Sequence, residues 1–274
     1  MNAKYDKLDN EIRYKRLLKN KQSVIVEHTN YSTQYKIGKS RFILNEKGEQ
    51  DVFAFHLLNK TRNDAIRYLK KENAPVKERK TEILWSYLDT SEDLPTDISV
   101  PILKVDLNEA YWRKAIQLGI ISQETEQAFL DHKFETKKDR KYCRLKALGA
   151  LATIKRVKAY KYGLPDLIYV DKNGIKTNEK LKVNMPLREL YMAICEQVSN
   201  DMKHLMVNIE GCMYYYWDCL FIKEVDNKQS KIIRQMVQEL GYDCTVDKDE
   251  AEVIDYGERQ VFVCLKTGIE YPVM

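Results

Sequence analysis

The stretch Ile102-Leu103-Lys104-Val105-Asp106-Leu107 decides how the second half of this chain is interpreted. It is mostly apolar, as a buried β-strand is, and it ends on a carboxylate. Residues 211–222 (GCMYYYWDCLFI) are rich in the aromatic residues that strands favour, and they carry Asp218. A carboxylate in a buried strand is costly unless it is paired or bound to a metal. The two stretches therefore predict two strands that each present an acid.

The segments around these strands predict helices and further strands. Helical patterns cover about 109–119, 123–132, 137–155, 186–205 and 228–240. A hairpin is expected at 167–170 with its turn at 171–174, and short strands are expected at 243–246, 252–255 and 260–265. This order predicts an α+β fold in which helices pack against an antiparallel sheet.

The first hundred residues differ in character from the rest. A helix is expected at 4–20, short strands are expected between Val24 and Phe55, and a helix follows around Ala65. We interpret 1–72 as a small N-terminal α+β module, 73–100 as a polar, proline-interrupted linker, and 101–274 as the main domain.

Composition narrows the class of protein. Lys and Arg number 46 against 41 Asp and Glu, and the resulting net charge of +5 permits a nucleic-acid partner without requiring one. The six cysteines form no CxxC pair, which indicates reduced thiols in a cytosol. The N-terminus lacks an apolar signal core, and no apolar run reaches the ~18 residues that span a bilayer. We therefore expect a cytoplasmic protein that is not embedded in a membrane.

Two carboxylates on adjacent strands could perform metal chemistry. Mg²⁺ prefers oxygen ligands and keeps water and phosphate as the remainder of its shell. Pairs of such ions serve in-line phosphoryl and nucleotidyl transfer. The simpler alternative is that Asp106 and Asp218 are strand caps or turn residues. For either acid alone that alternative is favoured, whereas the pair in this order favours metal binding.

Three segments together resemble family B DNA polymerases. Residues 106–112 (DLNEAYW) resemble the first palm motif of that family, and 214–222 (YYYWDCLFI) resemble its third. Residues 140–153 are similar to its fingers helix. The resemblance spans roughly residues 100–270. It implies an antiparallel-sheet, polymerase-like palm with a helical fingers-like segment.

The sequence departs from that family at several positions. Tyr216 and Trp217 stand where the third motif has its first Asp and its Thr, and Trp112 stands where the first motif has Pro. Residues 149–153 replace the Asn-Ser-x-Tyr-Gly element. Nothing resembles an exonuclease segment, and little of the chain remains for a thumb. These departures leave open the alternative that the protein is a relative of this family that has lost catalysis.

The resemblance also implies roles for individual residues. Asp106 and Asp218 would be the catalytic residues and would hold two Mg²⁺ (or Mn²⁺) ions. Tyr111 would stack under the incoming sugar and exclude a 2′-hydroxyl. The triphosphate would be clamped by Arg140, Arg144 and Lys146. Helical spacing places the two arginines on one face and Lys146 away from them, so the arginines are the better pair.

Three functions are compatible with these features. The first is a template-dependent DNA polymerase-like nucleotidyltransferase that acts on a DNA primer–template with deoxynucleotide triphosphates. The second is a catalytically degenerate, polymerase-derived protein that binds single-stranded nucleic acid or serves as an accessory or structural part. The third is an unrelated α+β interaction protein.

Two basic runs could contact nucleic acid. Residues 137–141 and 155–162 mix cations with aromatic side chains, as surfaces that follow a nucleic-acid strand do. A charged helix face in ordinary solvent explains them about as well.

Overall fold

The structure is a computed structural model that describes most of the chain between Val24 and Pro272. The described ranges are 24–28, 32–37, 40–45, 52–71, 86–88, 98–162, 164–167, 169–224, 228–256 and 260–272. The predicted helix at 4–20 and most of the predicted linker at 73–100 lie outside these ranges.

Six helices and fifteen strands occur within the described residues. The helices are α1 (Val52–Lys71), α2 (Ala110–Gln117), α3 (Gln123–Leu130), α4 (Lys137–Ala152), α5 (Met185–Asn208) and α6 (Gln229–Glu239). The first strands are β1 (Val24–His28), β2 (Ser32–Ile37), β3 (Ser40–Asn45), β4 (Ser86–Leu88), β5 (Val100–Asn108), β6 (Ile154–Lys161), β7 (Leu164–Pro165) and β8 (Tyr169–Val170). The remaining strands are β9 (Lys176–Thr177), β10 (Glu179–Val183), β11 (Cys212–Tyr216), β12 (Cys219–Lys223), β13 (Asp243–Asp255), β14 (Gln260–Cys264) and β15 (Ile269–Pro272).

The chain forms two compact units, and each is discontinuous in sequence. The first unit joins the described residues before Val76 to Ile120–Tyr191. The second unit joins the described part of Lys77–Gly119 to that of Met192–Met274. Residues 120–191 are therefore an insertion between two halves of the second unit.

The first unit contains an antiparallel sheet and three helices. The sheet has the order β10-β6-β1-β2-β3, and β7 also pairs with β6. Helix α1 packs against α4 and α3, and its buried Leu57 and Ala65 contribute to the core with Ala147 and Leu151 of α4. The expected hairpin is confirmed as β8 and β9, and Gly174 in its turn has the positive φ of 79° that favours glycine.

The second unit is built on an antiparallel sheet in the order β15-β14-β13-β5-β12-β11-β4. Its central elements occur along the chain in the order β5, α5, β11, β12, α6 and β13. The four strands lie in the sheet in the order β13-β5-β12-β11. This is the βαββαβ arrangement of ferredoxin-like folds. The prediction of a mixed α and β fold with antiparallel sheets is confirmed.

One face of this sheet packs on helices α5 and α6. Strand alternation turns Leu103, Val105 and Leu107 of β5 to this face, where all three are buried. Val198 on α5 and Ile233 on α6 belong to the same core cluster. Three of the apolar residues that predicted β5 are therefore buried because the helices cover this face.

The sheet curls so that its opposite face closes on itself into a half-barrel. Strand β15 lies four strands from β12, about 19 Å away in a flat sheet. The rings of Tyr271 on β15 and Phe221 on β12 nevertheless have centroids only 4.9 Å apart. The Tyr214 hydroxyl also donates to the Pro272 carbonyl oxygen at 2.7 Å. The interior is aromatic, and Tyr214, Phe221 and Phe262 are almost fully buried.

Several sequence-based assignments of secondary structure were wrong. Residues 52–55 begin α1 and are not a strand, and 243–255 is one continuous strand where two short strands were expected. Strand β4 lies in the predicted linker, and β6, β7, β10 and β15 were not predicted at all. Residues 211–222 form a hairpin where one strand was expected, because the turn at Trp217 and Asp218 lacks the glycine or asparagine that signals a turn.

Candidate metal and nucleotide site

Asp106 and Asp218 are neighbours at one end of the second unit's sheet. Asp106 lies near the end of β5 and pairs with Cys219 of β12 on one side and Thr245 of β13 on the other. Asp218 is the last residue of the β11–β12 turn, and its carbonyl oxygen accepts a hydrogen bond from the Leu107 amide at 2.9 Å. The fold thus brings together two acids that are 112 positions apart in the sequence.

The two acids are more exposed than the sequence indicated. Asp106 is exposed and Asp218 is half-buried, so the argument that burial alone demands a metal does not hold for either of them. Asp218 also lies in a turn and not within a strand. Exposure at the sheet end instead leaves Asp106 accessible to a ligand from solvent.

The negative charge of both acids affects the pKa of a nearby buried thiol. The pKa of Cys219 is raised, first by burial and then by the negative charge of Asp106, with a smaller contribution from Asp218. The Lys104 ammonium partly opposes these effects. Both carboxylates therefore lie within electrostatic reach of one sulfur atom at the rim of the half-barrel.

Two carboxylates alone could hold a hard cation only if solvent or another molecule supplied its remaining ligands. In the described part of the chain, no group of three or more His, Cys, Asp or Glu side chains could hold a metal. Two carboxylates at an accessible sheet end suit Mg²⁺ or Mn²⁺, which commonly bind proteins through one or two acids and complete their shells with phosphate oxygens and water.

Two residues with unusual backbone conformations flank the acids. Glu109 has φ of 60° and ψ of 29° at the N-terminal boundary of α2, and Trp217 has φ of 58° in the hairpin turn. Positive φ is uncommon outside glycine, and such strain concentrates where the surrounding structure holds a functional geometry. The chain bends sharply beside each acid, immediately after Asn108 and immediately before Asp218.

Aromatic contacts join these two bends. The Tyr111 and Trp217 rings meet edge to face with centroids 6.4 Å apart, and Trp217 also contacts Tyr216. Tyr111 is half-buried and packs against the helix-side core. The second unit therefore places the predicted sugar-contacting residue in the same neighbourhood as the two predicted metal ligands.

A buried polar cluster beside Tyr111 was not predicted from the sequence. The Lys114 ammonium lies 2.6 Å from Asp201 Oδ2, and the Tyr242 hydroxyl donates to the same oxygen at 2.5 Å. The pKa of Tyr242 is raised by burial, then by its hydrogen bond to Asp201 and that acid's charge, and to a smaller degree by Tyr111. The cluster links α2, α5 and the start of β13. No sequence pattern predicted this cluster, because charged residues on a helix are usually solvated.

The predicted triphosphate clamp lies in the first unit, on α4. The Arg140 guanidinium stacks on the Phe129 ring at 4.7 Å from its centroid and also lies near Phe134. Lys146 is buried, with its ammonium 5.3 Å from the centre of the Tyr142 ring. Arg144, on the same helix, is half-buried. Asp106, Tyr111 and Asp218 belong to the second unit, so the role of these three cations in nucleotide binding stays a prediction.

No family model matches this chain, and no curated protein or solved structure resembles it closely enough to count as a match. Among the helices that the structure describes, none is long and apolar enough to cross a bilayer.

The half-barrel interior predicts a loss of stability at alkaline pH. Burial raises the pKa of Cys264 from 9.0 to about 11, and it also raises the pKa of Cys219 and of Tyr271. The folded state favours the neutral form of each group, so this stabilisation is complete below pH 9 and is lost as the pH rises towards about 11. Urea unfolding across this range should show a falling midpoint, with a shallower fall in Cys264→Ala. A wild-type midpoint that stays constant from pH 9 to 11 would contradict the assignment.

Proposed function

We propose that this protein is a metal-dependent nucleotidyltransferase of the polymerase type, related to family B DNA polymerases, with Asp106 and Asp218 as its metal ligands. The observation that carries the proposal is their placement. One acid ends the central strand of a βαββαβ sheet, and the other lies in the turn of the adjacent hairpin. That is the order in which the resemblance places the metal-binding acids of a palm.

Three of the chain's own groups would serve this reaction. The 3′-oxygen of a primer attacks the α-phosphorus of a deoxynucleotide triphosphate, and the bond to the β-phosphate oxygen breaks, which releases pyrophosphate. Asp106 and Asp218 would hold two Mg²⁺ or Mn²⁺ ions. When bound, such ions activate the attacking oxygen and neutralise the leaving group. Tyr111, in the same unit as the two acids, would support the incoming sugar.

Primer extension tests the proposal directly. The intact protein, with Mg²⁺ or Mn²⁺, a DNA primer–template and deoxynucleotides, should add at least a few nucleotides, and a chelator should stop the addition. Extension should be poorly processive, because nothing in the sequence resembles a thumb. A folded protein that extends no primer on any DNA or RNA template would contradict the proposal.

A second candidate is a degenerate relative that retains the fold without catalysis. Tyr216 stands where the resemblance expects a third acid, and its ring packs on Tyr271 with centroids 5.5 Å apart. The position of the missing acid is thus occupied by an aromatic contact between β11 and β15. A protein that binds nucleic acid but incorporates no nucleotide with either metal would favour this candidate.

Substitution of Tyr111 should change sugar selection if its ring supports the incoming nucleotide. In Tyr111→Ala, incorporation of ribonucleotides relative to deoxynucleotides should rise about tenfold or more, which equals about 1.4 kcal/mol of discrimination. Tyr111→Phe keeps the ring and should keep the exclusion. Equal selectivity in wild type and Tyr111→Ala would remove Tyr111 from the nucleotide site, whatever its effect on overall rate.

A further inference from the structure

We propose that the segment Ile154–Val183 of the first unit is a binding surface for single-stranded nucleic acid, distinct from the carboxylate site in the second unit. Nucleic acid is chosen as the occupant partly because of the proposed function, whereas the surface itself rests on independent observations. These are its charge, its exposed aromatic and apolar side chains, and one strained tyrosine.

Charge is concentrated in this segment. Between Ile154 and Val183 there are eight Lys and Arg against three Asp and Glu, a net charge of +5, which equals the net charge of the whole chain. The remaining residues therefore sum to zero. A local excess of this size attracts polyanions, because each phosphate that a cation neutralises releases a condensed counterion.

Two of the three acids are engaged within the segment. Asp171 Oδ1 accepts hydrogen bonds from the Asn173 and Ile175 amides at 2.9 Å each, which closes the β8–β9 turn. Glu179 pairs with Lys158 across β10 and β6 at 3.1 Å. The exposed lysines of the segment therefore outnumber the acids that could neutralise them. They are Lys161, Lys172, Lys176, Lys180 and Lys182.

Register places three of these lysines on one side of the sheet. Lys180 of β10 pairs with Val157 of β6, and strands alternate their side chains with a period of two. Lys161 on β6 therefore lies on the same face as Lys180 and Lys182. Strand β10 is the last strand on its side of the sheet among the described residues, so Lys180 and Lys182 follow an edge.

Aromatic side chains accompany the cations. Tyr162 is 60% exposed, and the Lys161 ammonium lies 5.6 Å from the centre of its ring. Lys180 lies at the same distance from the Tyr169 ring. Sequence-independent single-strand sites combine a cationic track with aromatic rings on which bases stack. Tyr162 also has φ of 54°, so the fold holds this exposed ring in a conformation that few residues adopt.

The segment also exposes an unusual amount of apolar surface. Leu164 is 70% exposed and Val170 is 65% exposed, and Leu167, Ile175 and Leu181 are each more than half exposed. Exposed apolar surface of this kind can take part in an interaction, and these five side chains all lie between Leu164 and Leu181. The basic run 137–141 on α4 offers a comparison within the same unit, because its Lys137, Lys138 and Lys141 are also exposed, whereas its Arg140 packs on the Phe129 ring.

A simpler role for the lysines is to protect an edge strand from pairing with other chains. Fluorescence anisotropy with a labelled oligothymidylate of about 20 nucleotides, longer than a typical ~4–16-nucleotide footprint, separates the two roles. Wild type should bind at low salt, and its affinity should fall steeply as salt rises. Absence of binding at low salt would overturn the proposal and leave edge protection as the explanation.

Matched charge variants locate the site. The triple variant Lys176→Ala, Lys180→Ala, Lys182→Ala should weaken binding at least about tenfold and reduce the salt slope by about 2, since each single-strand phosphate contact contributes ~0.7. The control triple Lys137→Ala, Lys138→Ala, Lys141→Ala removes the same charge from α4 of the same unit, and it should bind within about twofold of wild type. Equal losses in both triples, or a loss in the control alone, would overturn the localisation.

A variant that removes one aromatic ring tests base stacking separately from charge. Tyr162→Ala should weaken binding at least about fivefold with an unchanged salt slope, and Tyr162→Phe should bind as wild type does. Anionic vesicles of phosphatidylserine serve as the competing occupant. Binding to vesicles but not to the oligonucleotide would overturn the proposal.

The same measurements in the Asp218→Asn background keep this inference separate from catalysis. Strand binding through the segment by a protein that never extends a primer would contradict only the proposed function. If the protein extends a primer, but its strand binding is unchanged in both the triple lysine variant and Tyr162→Ala, only this inference would be contradicted.

Discussion

Asp218→Asn is expected to abolish nucleotide addition, with a loss of at least about a hundredfold, which equals about 2.7 kcal/mol of transition-state free energy. A neutral amide is a far poorer ligand for a hard cation than a carboxylate is. Asp106→Asn should have the same effect, because the two acids are backbone neighbours at one sheet end. Single-turnover primer extension at saturating Mg²⁺ measures both losses.

Asp247→Asn is the matched control for these variants. Asp247 is an exposed acid on β13 that pairs with Lys104, two residues from Asp106 on the same strand face. Its removal changes the local charge by the same amount and should leave extension within about twofold, because exposed charges are well screened. Extension that persists in Asp106→Asn and Asp218→Asn would show that these acids do not hold the metal, or that the activity belongs to a contaminant. Equal losses in all three variants would indicate a general charge effect.

Asp201→Asn should cause a large loss of folding stability in the second unit. Lys114 would lose the charge that compensates its own, and Tyr242 would lose a charged acceptor for its hydroxyl. Removing one partner of a buried ion pair costs ~3–5 kcal/mol. The side chains of Lys114 and Asp201 are 11% and 17% exposed, so we expect about 2–4 kcal/mol here.

Urea unfolding of four further variants identifies the cause of that loss. Tyr242→Phe removes one hydrogen bond and should cost about 1 kcal/mol. Lys248→Ala removes the exposed ion pair with Glu224 and should cost less than about 1 kcal/mol. Lys114→Met alone should be costly, whereas Lys114→Met combined with Asp201→Leu should recover most of the loss, because an apolar pair carries no desolvation penalty. An additive double variant would show that the two charges are not coupled.

The polar cluster and the candidate site share a structural element. Tyr111 and Lys114 lie one turn apart on α2, and Tyr111 influences the pKa of Tyr242. Asp201 is therefore expected to hold the start of α2 in place, and with it the ring that contacts Trp217. Extension assays on Tyr242→Phe, which should remain folded, separate this positioning effect from unfolding.

The sequence by itself determined the elements with strong periodic patterns. The mostly apolar run at 102–107 identified β5, and its Leu103, Val105 and Leu107 share a face that helices cover. A helical pattern predicted α4 at about 137–155, and in the structure the Thr136 and Asp139 side chains begin this helix by exchanging hydrogen bonds with each other's backbone amides. Such signals are local, since each depends on residues within a few positions of one another.

The tertiary structure alone decided how distant residues meet. The turn at Trp217 and Asp218 carries no local signal, and the pairing of β12 with β5 sets its place beside Asp106. Curling of the sheet, which brings Tyr271 onto Phe221, depends on the pairing of β13, β14 and β15 with one another, and no short stretch of sequence encodes it. Asp201 likewise acquires Lys114 and Tyr242 as partners only when α5 packs beside α2 and β13, because burial changes a solvated surface charge into one that must be paired.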